Sequence, residues 1–86
     1  MSDGRTATVL TREDCHLCED AIATVRAVAG SVSTPVDVRV VDIDADERLR
    51  ERYGDRVPYV LVDGRPAFKF RVDETELRAK LRRTRE

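Results

Sequence analysis

Residues 6–18 of the chain are TATVLTREDCHLC, and this stretch decides the fold. Its first six residues are rich in β-branched side chains and predict a β-strand. Residues 12–14 contain neither Gly nor Pro and predict a short loop. From Leu17 to Val28 apolar residues recur at steps of three and four, which predicts a helix that begins at Cys15 and ends at Gly30. Two cysteines separated by two residues therefore stand where a strand gives way to a helix.

Three more strands are predicted further along the chain. Residues 36–43 carry apolar side chains on both faces, so we expect this strand to be covered on both sides. Residues 57–62 form the third strand, and Asp63-Gly64 is the strongest hairpin signal in the chain. Residues 66–70 then return antiparallel, with both of their phenylalanines on one side of the strand.

Two more helices complete the pattern. Residues 44–53 predict a short helix that ends at Gly54. Asp73 and Glu76 form a capping box at the start of the last helix, an acceptor at the N-cap and a carboxylate three residues later. Cations crowd the end of that helix, where they favour its dipole.

The predicted element order is β-α-β-α-β-β-α, which places the chain in the α/β class. A right-handed crossover makes the first two strands parallel, and the hairpin adds an antiparallel pair, so the sheet is mixed. The 86 residues leave room for one core only. We therefore expect a single domain over residues 1–86, with residues 82–86 as a frayed tail.

Charge and composition exclude several classes of protein. The chain has 16 Lys and Arg against 17 Asp and Glu, without the positive excess of a nucleic-acid binder. Its 41% of hydrophobic residues is too high for a disordered tail. No apolar run approaches the ~18 residues of a membrane span, and residues 1–10 lack a signal sequence. We expect a cytoplasmic protein with no nucleic-acid or membrane partner.

Chemistry explains the two cysteines better than stabilisation does. A bridge between Cys15 and Cys18 would close a very short loop and would staple no distant parts of the chain. At a helix N-cap, backbone N–H groups and the helix dipole favour the thiolate and lower the pKa of Cys15 from ~8.5 towards ~7. Cys18 lies one turn further in and is more buried. We therefore predict that Cys15 attacks a partner disulfide and that Cys18 resolves the mixed disulfide.

Zinc binding, haem attachment and simple burial account for the pair less well. Zinc needs four ligands, and the only Cys and His residues of the chain lie within residues 15–18, so no metal site is expected. Haem attachment requires His directly after the second cysteine, where this chain has Glu19. If both cysteines were unreactive core residues, the position of Cys18 on the apolar face of the helix would fit. The position of Cys15 would not, because it precedes the apolar stripe.

Val57-Pro58 opens the third predicted strand, a position where proline donates nothing to the ladder. With a cis bond here, the backbone of Val57 would be exposed beside the attacking sulfur and would pair with an extended substrate. An ordinary trans proline at a strand edge is the alternative. The sequence alone does not distinguish the cis from the trans form of the Val57-Pro58 bond.

Three segments together resemble the glutaredoxin-like members of the thioredoxin superfamily, in particular short bacterial proteins with a C-H-L-C motif. They are Val9-Leu10-Thr11-Arg12 running into Cys15-His16-Leu17-Cys18, Val41-Asp42-Ile43-Asp44, and Arg56-Val57-Pro58 followed by Asp63-Gly64. The resemblance covers nearly the whole chain. It implies a thioredoxin-like fold in three layers, with a four-stranded sheet of order 2-1-3-4 flanked by three helices. It also implies a cis Pro58 and dithiol exchange through the two cysteines.

The chain departs from ordinary glutaredoxins around the cysteine pair. His16 and Leu17 replace the usual Pro and Tyr, and residues 70–73 replace a Gly-Gly turn that meets glutathione. No bound cofactor is expected, and a low-molecular-weight thiol such as glutathione is a candidate reductant. Val57, Pro58 and the helix start at Asp73 would hold such a thiol.

The segment around the pair is acidic. Residues 12–20 carry one cation, Arg12, against four carboxylates, which leaves a formal charge of −3 with His16 neutral. Because these carboxylates oppose a thiolate, we predict a Cys15 less acidic than in strongly activated glutaredoxins, and a reducing pair. Arg12 is predicted to steer anionic substrates or to offset this acidity. His16 either tunes the thiolate or is simply a solvated loop residue.

The leading hypothesis is a monomeric dithiol–disulfide oxidoreductase. Its partners would be disulfide-containing proteins or small thiols as substrates, with a disulfide reductase or a small thiol as electron donor. Two further classes stay open. An iron–sulfur or metal carrier would join two chains through Cys15 and would be coloured and dimeric on anaerobic purification. A binding module would keep the fold and an accessible Cys15 without exchange.

Overall fold

The computed structural model describes residues 4–82. Its elements follow the predicted β-α-β-α-β-β-α order, with one 3₁₀ turn added before the second helix. In chain order they are β1 (Arg5–Thr11), α1 (His16–Ser31), β2 (Val36–Asp42), the 3₁₀ turn (Ile43–Ala45), α2 (Glu47–Tyr53), β3 (Tyr59–Val62), β4 (Arg65–Lys69) and α3 (Glu74–Leu81).

The four strands form one mixed sheet in the order β2-β1-β3-β4, which confirms the expected 2-1-3-4 arrangement. β1 and β2 are parallel and in register from the Arg5–Val36 pair onward. β3 is antiparallel to β1, with Leu10 opposite Tyr59, and β4 is antiparallel to β3. β1 is therefore a central strand, and the loop that carries the cysteine pair leaves from its carboxyl end.

The main core lies between the sheet and two helices, α1 and α3. Its buried side chains come from alternate positions of β1 and β3 and from one face of each helix. They are Ala7, Val9, Ala21, Val25, Val28, Val60, Val62, Leu77 and Leu81. α2 packs against the 3₁₀ turn, where Ile43 is fully buried. Within residues 4–82, no helix is long and apolar enough to cross a membrane.

The expectation that the second strand is covered on both sides is met only in part: Val36 and Val38 pack against the core on one face, and Val41 on the other face is half-buried. β2 has no fully buried side chain, and Val40 is 39% exposed. The physical reason is the position of β2 at the edge of the sheet, where it has one neighbouring strand only.

Several predicted boundaries also move. The second helix begins at Glu47 and not at residue 44, because the carboxylate of Asp46 accepts the backbone N–H of Arg48 as its N-cap. β3 begins at Tyr59, after the proline that cannot donate to a ladder. α1 continues through Gly30 to Ser31.

The last residue of the predicted fourth strand also differs from expectation. Phe70 lies beyond β4 with a positive φ of 73°, and the N–H of Arg71 donates to the carbonyl of Lys69 at 2.8 Å, which closes a γ-turn around it. The turn takes Phe70 out of the alternation, so it does not share a side with Phe68. Phe68 packs against the core, and Phe70 is 41% exposed.

The hairpin predicted at Asp63-Gly64 is confirmed. Both residues have positive φ, 54° and 81°, as a tight two-residue hairpin turn requires. The carboxylate of Asp63 also accepts the backbone N–H of Thr6 at 2.9 Å and pairs with Arg5 at 3.0 Å. The turn is thereby fastened to the start of β1. Of the tail expected at 82–86, Arg82 caps α3, and residues 83–86 lie outside the described residues.

Candidate active site

Cys15 is the N-cap of α1. Its backbone is extended (φ −121°, ψ 102°), and its Sγ accepts the backbone N–H of Cys18 at 3.1 Å. Asp14, just before it, takes a positive φ of 55° that turns the loop into the helix, a conformation that Asp tolerates better than most residues. The sulfur thus faces the amino end of a helix, where orphan N–H groups and the dipole stabilise negative charge.

Cys15 and Cys18 are joined in a disulfide, with their Cα atoms 5.1 Å apart. Cys18 is fully buried, whereas Cys15 is half-buried. The bridge itself covers one side of Cys15, since the two sulfurs are bonded. Of the pair, only Cys15 offers a surface to a partner, which agrees with the predicted difference in burial.

Val57-Pro58 lies beside the carboxyl end of β1. The bond between them is cis, as the family resemblance implies, and Pro58 is buried while Val57 is half-buried. Tyr59, the next residue, is the first of β3 and pairs with Leu10 near the carboxyl end of β1. Pro58 therefore lies at the same end of the sheet as the loop that leads to Cys15. The carbonyl of Pro58 accepts the N–H of Phe70 at 2.7 Å. This bond ties the proline loop to the segment between β4 and α3.

A groove of about 250 Å³ separates the start of α1 from the segment between β4 and α3. Leu17 and Phe70 face it from opposite walls, 44% and 41% exposed. Its lining residues are Leu17, Asp20, Ala21, Thr24, Phe70, Arg71 and Val72. Sequence reasoning placed Leu17 at the site but missed Phe70, because no residue pattern signals a positive φ at a phenylalanine.

Arg12 connects the loop after β1 to the second helix. Its guanidinium donates to the backbone carbonyl of Gly54 at 2.9 Å and pairs with the carboxylate of Asp44 at 3.0 Å. Both partners lie more than thirty residues away in the chain, on either side of α2. The structure therefore gives Arg12 a structural role, and its predicted action on substrates stays a prediction.

His16 and Asp73 flank the site at two helix starts. His16 is almost fully exposed, with Nδ1 3.9 Å from the carboxylate of Glu19. Asp73 is the N-cap of α3 and accepts the backbone N–H of Glu76 at 2.9 Å. The carboxylate of Glu76 lies 3.9 Å from Lys80. The N-cap predicted at Asp73 is confirmed. It directly follows Phe70, Arg71 and Val72, which line one wall of the groove.

Comparisons with known proteins place this arrangement in a family. Residues 6–82 match the family described as Glutaredoxin-like domain (DUF836). An uncharacterized protein of Mycobacterium tuberculosis is 35% identical over 79 residues, which cover 88% of this chain and 81% of that protein. A Nitrosomonas europaea protein solved by NMR has a TM-score of 0.76 at 30% identity, over 94% of this chain and 95% of that one.

A mutant thioredoxin from Halobacterium salinarum shares the fold, with a TM-score of 0.65 over 93% of this chain and 73% of that one. At 24% sequence identity, this similarity shows a shared fold and nothing more. The sheet order, the three helices and the match over residues 6–82 agree with one another. This chain therefore has a thioredoxin-like fold and belongs to the glutaredoxin-like domain family.

Proposed function

We propose that this protein is a dithiol–disulfide oxidoreductase that exchanges electrons with disulfides of proteins or small molecules. One observation carries the proposal: the sulfur of Cys15 caps α1 and is bonded to the buried sulfur of Cys18. A half-buried outer sulfur and a buried inner one can perform the two successive steps of exchange.

The reaction begins from the reduced pair. The Cys15 thiolate attacks one sulfur of a substrate disulfide, forms a mixed disulfide and expels the other sulfur as a thiolate, which takes up a proton. Cys18 then loses its proton and attacks the sulfur of Cys15, which expels the second substrate thiol. Two electrons have moved to the substrate, and the product is the Cys15–Cys18 disulfide seen in the structure.

The backbone around the outer sulfur supports the first step. The N–H of Cys18 points at the sulfur of Cys15 at 3.1 Å, and a hydrogen bond to a charged acceptor is stronger than one to a neutral acceptor. This donor is fixed by the helix, so it needs no rearrangement when the thiolate forms. The reduced pair is thereby held ready for attack.

The surrounding residues would bind the substrate. The backbone of Val57 would pair with an extended segment of the substrate, and the carbonyl of Pro58 ties that loop to Phe70. Leu17 lines the groove, and the helix start at Asp73 directly follows Val72, which lines it from the other side. His16, almost fully exposed beside Cys15, is in place to favour the thiolate when it is protonated.

The regeneration step needs an electron donor. A disulfide reductase, or a low-molecular-weight thiol such as glutathione, would return two electrons to the pair, and no bound cofactor is required. We assign the protein to the cytoplasm as a monomer, since reducing compartments keep such thiols available for exchange. Reduction assays that supply a thioredoxin-reductase system, glutathione or another small thiol identify the donor.

Trapping of the mixed disulfide tests the activity. The Cys18→Ser variant lacks the resolving thiol, so it should accumulate mixed disulfides through Cys15, visible as bands that disappear on reduction with dithiothreitol. The matched control is the Cys15→Ser, Cys18→Ser double variant, which should trap nothing. The unaltered protein should also reduce insulin. If the single variant traps no partner and the parent protein leaves insulin unreduced, the protein is no oxidoreductase.

A further inference from the structure

We infer that the preferred substrate of this site is a disulfide on a cationic protein segment, and that anionic disulfides react poorly. The inference rests on the proposed function and adds a substrate class to it. Three features of the described residues carry it: an acidic surface around Cys15, two exposed apolar side chains in the groove, and a basic surface at the opposite end of the molecule.

The surface around Cys15 is acidic and its charges are exposed, and of its four carboxylates Asp20 alone lines the groove. Glu13, Asp14, Glu19 and Asp20 are all exposed, and the side chain of Glu19 is 73% accessible. Arg12 is the cation of this segment, and it is paired with Asp44 at 3.0 Å. The negative charge beside Cys15 is therefore not offset within its own segment.

The wall of the groove opposite α1 does not compensate for this charge. Between Lys69 and Glu74 there are two cations and two carboxylates, so their formal charges cancel. Arg71 lines the groove there and Asp20 lines it from α1, so the charges within the groove cancel. The negative excess that a disulfide meets comes from Glu13, Asp14 and Glu19, which are exposed around Cys15 outside the groove.

The apolar part of the groove suits a polypeptide. Three large hydrophobic side chains are exposed among residues 4–82, and two of them, Leu17 and Phe70, face each other across this groove. Protein interfaces commonly have an apolar centre surrounded by a polar rim. Here the centre is Leu17 with Phe70 and the rim is acidic, which is complementary to a segment with one apolar residue and flanking Lys or Arg.

The basic surface lies at the other end of the sheet. Arg5, Arg65 and Lys80 line a second cavity there, and because Arg5 pairs with Asp63 at 3.0 Å and Lys80 lies 3.9 Å from Glu76, the positive excess of these lining residues comes from Arg65. The six residues of β1 that follow Arg5 separate it from the loop that leads to Cys15, a distance of about 20 Å. Such a separation of charge turns a cationic partner towards the cysteine end and an anionic one away from it.

The exchange step is sensitive to the electrostatic field of these charges. In single turnover the Cys15 thiolate attacks the substrate disulfide, one substrate thiolate leaves and is protonated, and Cys18 then expels the second thiol as the protein disulfide closes. Two electrons pass to the substrate, and the pre-reduced protein supplies both. Carboxylates beside the pair repel an anionic disulfide and attract a cationic one during the approach, so the effect appears in the second-order rate constant.

Three tripeptide disulfides test the inference, with cysteine flanked by two lysines, two serines or two glutamates. Pre-reduced protein is mixed with each, the reaction is quenched in acid, and the released thiol is quantified. Reaction of the same disulfides with dithiothreitol gives their intrinsic reactivity, by which each rate is divided. We expect the lysine disulfide to react about tenfold faster than the glutamate one at low salt. At about 0.5 M salt the difference should fall to about twofold or less.

Two matched variants locate the effect. Asp20→Asn removes one charge from the groove and should reduce the lysine-to-glutamate ratio. Asp37→Asn removes one charge from the far end of the sheet, where Asp37 pairs with Arg39, and should leave the ratio unchanged. Using the ratio cancels any change in the reactivity of Cys15 itself.

The outcomes separate this inference from the proposed function. Reaction of the serine disulfide shows that exchange occurs at all. If it reacts while the lysine and glutamate disulfides do so at equal normalised rates, the charge preference is refuted and the oxidoreductase stands. Equal effects of the two Asn variants also refute it. If none of the three disulfides reacts, the proposed function fails as well.

Discussion

Two opposing electrostatic influences act on the stability of the Cys15 thiolate, and both can be measured through its reactivity. The N–H of Cys18 at 3.1 Å and the start of α1 favour the thiolate, whereas the exposed carboxylates of Glu19 and Asp20 oppose it. We expect the alkylation rate of the reduced protein to rise with pH around a midpoint near ~7. Measuring the iodoacetamide rate against pH provides the midpoint. A value below ~5 would contradict a moderately acidic thiol.

The same measurement on variants separates the two influences. Glu19→Gln with Asp20→Asn should lower the midpoint, because two carboxylates that oppose the Cys15 thiolate are removed. Asp37→Asn, at the far end of the sheet, should leave the midpoint where it is. Because the double variant removes two charges and Asp37→Asn removes one, a shift in Asp37→Asn half as large as that in the double variant would mean that net charge and not position sets the reactivity of Cys15.

Residues whose conformation depends on close neighbours in the chain were predictable. The N-caps at Cys15 and Asp73 and the turn at Asp63 follow from local residue types, and all three are confirmed. Arg12 and Phe70 were not predictable in the same way. The partners of Arg12 lie 32 and 42 residues away, and the γ-turn at Phe70 has no sequence signal.

At the scale of single elements, two glycines respond to the same substitution in opposite directions. Gly30 lies inside α1, and a Cβ there would meet nothing within 4 Å. Gly64 has a φ of 81° in the hairpin turn, which strains any residue with a Cβ. We expect Gly30→Ala to stabilise the protein by about 0.5–1 kcal/mol and Gly64→Ala to destabilise it by about 1 kcal/mol or more. Urea unfolding of the two variants measures both signs, and a gain at Gly64 would contradict the turn geometry.

The cap of α3 is the second element that can be tested. Asp73 accepts the N–H of Glu76 at 2.9 Å, so Asp73→Ala should cost about 1 kcal/mol in the free energy of unfolding. Asp73→Asn keeps an oxygen acceptor at that position and is the matched control, with a loss of a few tenths. Equal losses in the two variants would assign the effect to the charge of Asp73 at the helix dipole instead of to the hydrogen bond.

The types of the elements were predictable from the sequence, but several of their ends and exposures were not. Periodicity identified all seven elements, since each carries a strand or helix pattern of its own. The exposure of Val40 could not be inferred, because it depends on β2 lying at the edge of the sheet. The strand order came from the family resemblance and not from the patterns. The groove between Leu17 and Phe70 needed the assembled fold.

At the scale of the whole molecule, the stability is unevenly distributed. α1 buries four side chains, three of them in the main core, and α3 buries two there, whereas α2 buries none. Local opening requires less free energy where fewer apolar contacts are lost. We expect the amides of α2 to exchange with solvent faster than those of α1 and α3 in hydrogen-exchange mass spectrometry. Equal protection of the three helices would contradict this distribution.

Arg12 connects this weakest element to the loop that carries the cysteines. Its guanidinium pairs with Asp44 before α2 and donates to the carbonyl of Gly54 after it, so the two bonds restrain both flanks of α2. Because the side chain is about one third exposed, the two bonds together should be worth about 1 kcal/mol. Arg12→Met keeps the apolar stem and should therefore speed exchange in α2 about fivefold while leaving α3 unchanged. A uniform increase in all helices would instead indicate a general loss of stability, and unchanged exchange in α2 would show that the two bonds do not restrain it.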